Sequence, residues 1–379
     1  MKDTFTVYLS LGSNLGNRLY QLQKAVIMLG DTLGMVSHLS AVYETPAWGF
    51  DGAPFLNACL ALETSKSPEE VLKTLLMIEK EAGRFRGQES GYVSRTLDID
   101  IVYYGEQVIA TDNLIVPHPH MEKRWFVLKP LADIAPQFYH PILNKDTRNL
   151  LQECKDNSTI VKTSHMLYPN REEFFSQLHL LAIEGNIGVG KTTLAKKVSE
   201  EFNAKLVLER FADNPFLPKF YKDQARYAFP LEMSFLADRY QQYTDDTRQF
   251  DLFKKFMVSD YDIYKSLIFA KVTLGPEEYA LYRKLFTYMY KEVKKPDLYI
   301  YLHQDTKRLL ENIKKRGRDY EQQIAPQYLE QINKGYVEFL KTIPEGNRLV
   351  VDVTNLDFVD RRTDYERILD TVMEHMMTK

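Results

Sequence analysis

The sequence predicts two domains: an α+β sandwich, with helices packed on a sheet, followed by a parallel α/β domain. Three observations lead there. A chain of 379 residues has room for two or three domains of ordinary size. The N-terminal part mixes several short strand patterns with only two helical ones. From residue 180 onward, apolar strand patterns alternate with helical ones, as in a parallel sheet covered by helices.

Composition narrows the function classes. The chain is 44% hydrophobic and 27% charged, an ordinary globular balance. A net charge of −3 gives no polyanion-binding signature, so nucleic acid is not an expected partner. Two cysteines, Cys59 and Cys154, are too few for a disulfide framework and suit a reducing cytosol. The N-terminus is polar and leads straight into a strand pattern, so no signal peptide is expected. No apolar run approaches the roughly 18 residues that span a bilayer. The expectation is therefore a cytoplasmic protein without a membrane partner.

In chain order, residues 6–11 alternate like a strand and stop at Gly12-Ser13-Asn14. Leu19, Leu22, Val26 and Leu29 recur at helical spacing, and Gly30 closes that helix. Residues 42–44 read as a strand, 45–54 as a Pro/Gly-rich loop and 55–63 as another strand. Ser67-Pro68-Glu69-Glu70 reads as a helix start: a capping serine, a proline in the first turn, and a glutamate three residues on. That helix is expected to run to about residue 82.

Residues 95–104, Arg-Thr-Leu-Asp-Ile-Asp-Ile-Val-Tyr-Tyr, alternate strictly. Period two puts Asp98 and Asp100 on one face and Leu97, Ile99 and Ile101 on the other. Alone, that face could be a solvated sheet edge. Arg84 and Arg86 before it, Arg95 beside it, and His118 and Arg124 after it change the reading. Two neighbouring carboxylates need a cation, and hard oxygen donors suit Mg²⁺. Cations around a metal–carboxylate pair are what phosphoryl transfer requires.

About the first 155 residues resemble 6-hydroxymethyl-7,8-dihydropterin pyrophosphokinase, of the folate pathway. The resemblance rests on Gly12-Ser13-Asn14-Leu15-Gly16-Asn17, Tyr43-Glu44-Thr45-Pro46, Phe55-Leu56-Asn57-Ala58, Glu79 with Gly83-Arg84, the 95–101 strand, and Val116-Pro117-His118. It implies a ferredoxin-like α+β fold and transfer of a pyrophosphoryl group from ATP to the pterin hydroxymethyl group, releasing AMP. It also implies that Asp98 and Asp100 hold two Mg²⁺ ions, that Arg84 and Arg95 stabilise the transferring group, and that His118 and Arg124 contact ATP. The pterin would lie between Phe55 and Phe126, with Asn57 on its polar edge and Thr45 and Pro46 lining the pocket. Val93-Ser94 and Trp48 depart from the pattern of many relatives, in loops beside the site.

Residues 159–178 read as a linker between domains 1–158 and 179–379. Then an apolar run ends at a glycine, and Gly185, four residues, Gly190, Lys191 and Thr192 complete a phosphate-binding loop. Glycines let the backbone wrap phosphate oxygens, and the following helix aims its first amides at them. Gly185, Asn186, Gly188, Gly190, Lys191, Thr192 and Thr193 are the expected ATP-binding residues; Lys191 would reach the β/γ-phosphates and Thr192 would hold Mg²⁺. Strands are expected at 205–209, 297–302 and 349–353, and helices at 218–226, 230–244 and 275–293.

From residue 180 to about 357 the chain resembles the deoxyribonucleoside kinases. The resemblance rests on the loop above, Glu209, Asn214-Pro215-Phe216-Leu217, Phe220-Tyr221, Phe235-Leu236-Ala237-Asp238-Arg239, Phe269-Ala270-Lys271 and Arg316-Gly317-Arg318-Asp319-Tyr320-Glu321. It implies that Glu209 is the general base for the sugar 5′-hydroxyl, that Tyr221 and Glu321 hold the 3′-hydroxyl, and that Arg239 faces the base. Arg316 and Arg318 would clamp phosphates from a lid, and Asp260 would keep the acidic position near metal and phosphates within the nucleoside site. Two departures stand out. Glu232 replaces a glutamine that pairs with the base, and an acceptor there suits a base bearing an amine, deoxyadenosine first. Tyr261 replaces an arginine, removing one phosphate-facing cation.

The expected function is thus bifunctional: the pterin reaction plus ATP-dependent 5′-phosphorylation of a deoxynucleoside, with a homodimer formed through the C-terminal domain. The alternative is an active pyrophosphokinase fused to a kinase-like domain kept for nucleotide binding or dimerisation.

Overall fold

The computed structural model describes residues 3–83, 94–210, 214–248 and 253–378. The chain divides into two units, which change over between Phe174 and Phe175.

The first unit contains β1 (Phe5–Ser13), α1 (Arg18–Leu33), β2 (Gly34–Leu39), β3 (Tyr43–Thr45), β4 (Phe55–Thr64), α2 (Pro68–Glu81), β5 (Asp98–Tyr104), the short pair β6 (Ile109–Ala110) and β7 (Ile115–Val116), α3 (Trp125–Ile134), α4 (Thr147–Glu153), β8 (Val161–Lys162) and α5 (Arg171–Phe175). The main sheet runs β5-β1-β4-β3-β8, antiparallel throughout, with β2 also on β4. This is the expected α+β arrangement. Asn17 caps α1 by accepting from the Tyr20 N–H, and Ser67 with Glu70 forms the expected capping box on α2. Cys59 and Val102 face a core cluster with Val127, Leu128 and Leu131 of α3.

The expected linker is largely structured. Val161 and Lys162 pair with Glu44 and Tyr43 on the open edge of β3. Gln23, fully buried, donates to the Tyr168 carbonyl and accepts from its N–H, both at 2.8 Å. An unpaired strand edge and a buried amide both need partners, and residues 161–168 supply them. The first unit therefore extends to 174 rather than ending at 158. The expected 95–104 strand begins only at Asp98, because the Arg95 N–H is held by the Asn14 side chain at 2.6 Å.

The second unit contains β9 (Leu180–Gly185), α6 (Lys191–Glu201), β10 (Lys205–Val207), α7 (Leu217–Phe220), α8 (Gln224–Arg248), β11 (Met257–Ser259), α9 (Lys265–Thr273), α10 (Pro276–Tyr290), β12 (Leu298–His303), α11 (Thr306–Arg316), α12 (Pro326–Leu340), β13 (Arg348–Asp352) and α13 (Arg362–Met376). Its strands are all parallel, in the order β10-β11-β9-β12-β13. The first strand, β9, is central, so its C-terminal loop falls where ligands of such sheets bind. The helices expected at 218–226 and 230–244 divide differently. The first stops at Phe220, and α8 runs through Pro230, which lacks an N–H but is carried by the buried side of Leu231, Phe235, Leu236 and Tyr243.

Candidate active sites

In the first unit the sheet register builds a pocket floor. Gly12 stands opposite Asp98 on one side and Asn57 on the other, and Ser10 opposite Asp100. A β-carbon on Gly12 would lie 3.1 Å from Asn57 Oδ1, so the glycine keeps the floor open. Thr45, Pro46, Trp48, Phe50, Phe55, Asn57 and Phe126 surround this floor, together with Arg95, Asp98, Asp100 and Arg124. Asn57 Nδ2 donates to Thr45 Oγ1 at 2.9 Å, which fixes the polar edge.

A second, more polar pocket shares Arg95, Asp98, Asp100 and Arg124 with the first and adds Glu79, Leu114 and His118. The two carboxylates thus form a wall between an aromatic chamber and a polar one. Arg95 donates to Asp98 at 2.7 Å, and His118 and Arg124 stand 3.8 and 4.0 Å from Asp100. Burial and then the Asp98 charge push Asp100 up to about 7, against the pull of Arg124. Burial and then Arg124 push the His118 imidazole down to about 4, so it is neutral at pH 7. Arg84 lies outside the described residues.

In the second unit the phosphate loop follows β9. Gly188 (φ +86°) and Gly190 (φ +98°) adopt the left-handed conformation that the turn requires, and a β-carbon on Gly190 would meet the Phe358 ring at 2.7 Å. Lys191 Nζ donates to the Gly185 and Asn186 carbonyls at 2.9 and 3.0 Å. The Asn186 side chain turns to α12, donating to the Leu329 carbonyl and Asn333 at 2.8 Å. Thr193 is half-buried on α6 and does not line the pocket.

Around the loop lie charges from four further segments. Thr192 donates to Asp260 Oδ2 at 2.5 Å, and Asp260 Oδ1 accepts from the Glu209 N–H at 2.8 Å. Asp260 therefore sits against the phosphate loop, in the same pocket as Glu232. Glu209 follows β10 rather than ending it, and its carboxylate accepts from Arg239 Nε at 2.8 Å and Lys265 Nζ at 2.6 Å. Burial would raise Glu209, but the charges and hydrogen bonds of Lys265 and Arg239 outweigh it and hold it well below the usual carboxylate range. Burial and then Lys265 lower Lys191 to about 8. Tyr221, Glu232, Phe235, Phe269, Arg316, Arg318, Glu321 and Tyr328 complete the lining. Glu321 accepts from both Arg316 and Arg318.

The family model for 7,8-dihydro-6-hydroxymethylpterin-pyrophosphokinase matches residues 8–136, and the model for deoxynucleoside kinase matches residues 181–377. A Bacillus subtilis (strain 168) protein named deoxyguanosine kinase is 40% identical over 198 residues, covering 51% of this chain and 96% of its own length. A 2-amino-4-hydroxy-6-hydroxymethyldihydropteridine pyrophosphokinase from Aquifex aeolicus (strain VF5) is 43% identical over 156 residues, covering 41% of this chain and 93% of its own. The chain belongs to both families. A solved structure of deoxyadenosine kinase from M. mycoides with bound dATP is 28% identical over 51% of this chain and 98% of its own, with a TM-score of 0.45.

The protein is therefore a bifunctional enzyme, with a pyrophosphokinase unit in folate biosynthesis and a deoxynucleoside kinase unit, each using ATP and a small-molecule substrate. Two residues of the kinase unit bear on the departure at Tyr261. Tyr261 faces no phosphate: it is fully buried, edge-on to Tyr243 with ring centroids 5.5 Å apart. A cation stands nearby: Lys265, four residues on at the first turn of α9, pairs with Glu209 at 2.6 Å. In the pyrophosphokinase unit, sequence reasoning left Asn14 and Glu79 without a role. Asn14 ties Ala53, Ser94 and Arg95 together, and buried Glu79 accepts from the Ile99 N–H at 3.0 Å, fixing the strand between the two carboxylates. Their positions as polar residues beside a glycine turn and on a mostly apolar helix face were the available signals.

Proposed function

We propose that the N-terminal unit transfers the pyrophosphoryl group of ATP to 6-hydroxymethyl-7,8-dihydropterin, releasing AMP, and that the C-terminal unit transfers one phosphoryl group to the 5′-hydroxyl of a purine deoxynucleoside, releasing ADP. The observation that carries the first is the carboxylate wall between an aromatic and a polar chamber. The pterin fits the aromatic chamber, between Phe55 and Phe126, with Asn57 and Thr45 on its edge; ATP fits the polar one, against His118 and Arg124. Asp98 and Asp100 suit Mg²⁺ by their chemistry: two adjacent hard carboxylates, one of them pushed toward protonation by burial and by its neighbour's charge. Among the described residues no group of three or more metal-ligand side chains is assembled, and a site that takes its remaining ligands from phosphate and water needs none. When bound, the metal supplies charge neutralisation on the phosphates. Arg95, from the chain itself, is placed to neutralise the transferring group.

For the kinase unit the carrying observation is the network joining Thr192, Asp260, Glu209, Lys265 and Arg239, in the same pocket as Lys191. Glu209 is the base for the sugar hydroxyl, Tyr221 and Glu321 hold the 3′-hydroxyl, and Thr192 offers Mg²⁺ a hydroxyl. Arg316 and Arg318 close on the phosphates. The sequence favoured deoxyadenosine through Glu232; the Bacillus subtilis relative's name brings deoxyguanosine into equal consideration. A homodimer through the kinase unit is supported by Leu281, Leu285 and Tyr288, exposed at helical spacing on α10. A cytoplasmic site fits two unpaired cysteines and the absence, among the described residues, of any helix long and apolar enough to cross a membrane. Lys265, 2.6 Å from Glu209, argues against the binding-only alternative, whereas Glu232 is the departure that favours it.

The test is nucleotide product analysis with Mg-ATP and either the pterin or each deoxynucleoside. Asp98→Ala with Asp100→Ala should abolish AMP formation and spare ADP formation; Lys191→Ala should do the reverse. Loss of both activities from either change in a folded protein sinks the two-site reading.

A further inference from the structure

Glu232 is the buried group of the kinase pocket with hydrogen-bonding capacity left over. Its Oε1 accepts from the Thr273 hydroxyl at 3.0 Å, while Oε2 is buried without a partner among the described residues. The side chain is 2% exposed and lines the same pocket as Glu209 and Arg239. The groups facing it are Arg239 on its own helix, Lys265 and Thr273 on α9, Tyr282 on α10 and Tyr328 on α12. A buried acceptor without a donor is costly, so the pocket suits a ligand that brings one.

Resting on the reading of this pocket as the nucleoside site, we propose that Glu232 selects the base by its protonation state, taking guanine when ionised and adenine when protonated. An ionised carboxylate only accepts. Guanine presents two adjacent donors, N1–H and the 2-amino group, which two carboxylate oxygens take side by side. Adenine presents an acceptor, N1, next to its 6-amino donor, and N1 would face a carboxylate oxygen with no hydrogen between them. One proton on Oε2 turns the pair into a donor beside an acceptor, which matches adenine and leaves one acceptor for guanine's two adjacent donors. Cytosine carries the same acceptor–donor pair as adenine, so deoxycytidine follows deoxyadenosine. Burial raises Glu232 to about 7, against the pull of Arg239 and Thr273, which brings both forms within reach of neutral pH.

The experiment measures kcat/KM for deoxyguanosine and deoxyadenosine on the full chain with Mg-ATP across the neutral range, for the wild type and Glu232→Gln. Groups acting on the phosphates affect both substrates alike and cancel in the ratio. The deoxyguanosine-to-deoxyadenosine ratio should rise with pH by up to about tenfold per unit. Glu232→Gln fixes one donor and one acceptor; it should prefer deoxyadenosine by roughly 10- to 100-fold at every pH and lose the slope. Calorimetry in buffers of different ionisation heat reads the proton itself: deoxyadenosine should bind with proton uptake above about pH 7, and deoxyguanosine with release below it. A flat wild-type ratio, or a Glu232→Gln enzyme with wild-type order and slope, overturns the selector role and leaves the kinase reading standing. A chain that neither binds nor phosphorylates any deoxynucleoside overturns the kinase reading, and the selector with it.

Discussion

Two residues four apart, Tyr261 and Lys265, part company: one packs in the core and the other pairs with Glu209. Lys265 holds Glu209 in a buried ion pair, and removing one partner of such a pair leaves an uncompensated charge. Lys265→Met should therefore lower deoxynucleoside turnover by roughly 10²–10³ while leaving pterin turnover unchanged, in paired assays on one preparation. Tyr261 contributes packing, and its buried hydroxyl has no partner among the described residues. Tyr261→Phe removes only that hydroxyl, so kinase activity should persist and the melting temperature should hold or rise. At the other site, burial and the Asp98 charge push Asp100 up to about 7. A carboxyl whose pKa is raised is protonated below that value, and the proton competes with metal. Mg²⁺ affinity of the pyrophosphokinase unit should thus fall as pH drops below about 7, by up to about tenfold per unit; calorimetric titration of Mg²⁺ at a series of pH values reads it, and a pH-independent affinity would contradict the paired-carboxylate site.

At the scale of elements, α2 shows how a cap reaches the chemistry. Ser67 and Glu70 fix its start, and Glu79 near its end holds the Ile99 N–H. Ser67→Ala should destabilise the unit by about 1 kcal/mol, a shift of roughly 2–4 °C in melting, and a calorimetric scan would register it. This cap was readable from four consecutive residues, as was the alternation around Asp98 and the phosphate loop. Other elements were not. Strand β11 places Asp260 beside Glu209, yet spans only Met257–Ser259, too short for any period to register. Helix α8 swallowed a proline, because tertiary burial overrode a local stop signal. Strand β8 has two exposed residues and exists because β3 offered an edge. Residue types were legible; which of them share a proton or a charge, as Lys265 and Glu209 do, depends on contacts between segments far apart in sequence.

At the scale of the whole chain, the unit boundary at 174 has a direct consequence for truncation. A fragment ending at 158 lacks the partner of the β3 edge and leaves buried Gln23 without the Tyr168 backbone. Each lost buried hydrogen bond costs about 1–3 kcal/mol. Residues 1–174 should fold and turn over the pterin, whereas residues 1–158 should be markedly less stable by urea melting. Equal stability of the two fragments would return 159–174 to the status of a tether.

The kinase pocket also carries its charges in matched sets. Lys265 and Arg239 are opposed by Glu209, and Arg316 and Arg318 by Glu321. Dissolved ions screen charges in water far better than charges removed from it. Raising the ionic strength should weaken exposed pairs such as Lys145–Glu153 and Lys271–Glu338, yet leave Glu209 and its two cations in place. The kinase can thus keep its internal arrangement in brines that strip its surface of ion pairs.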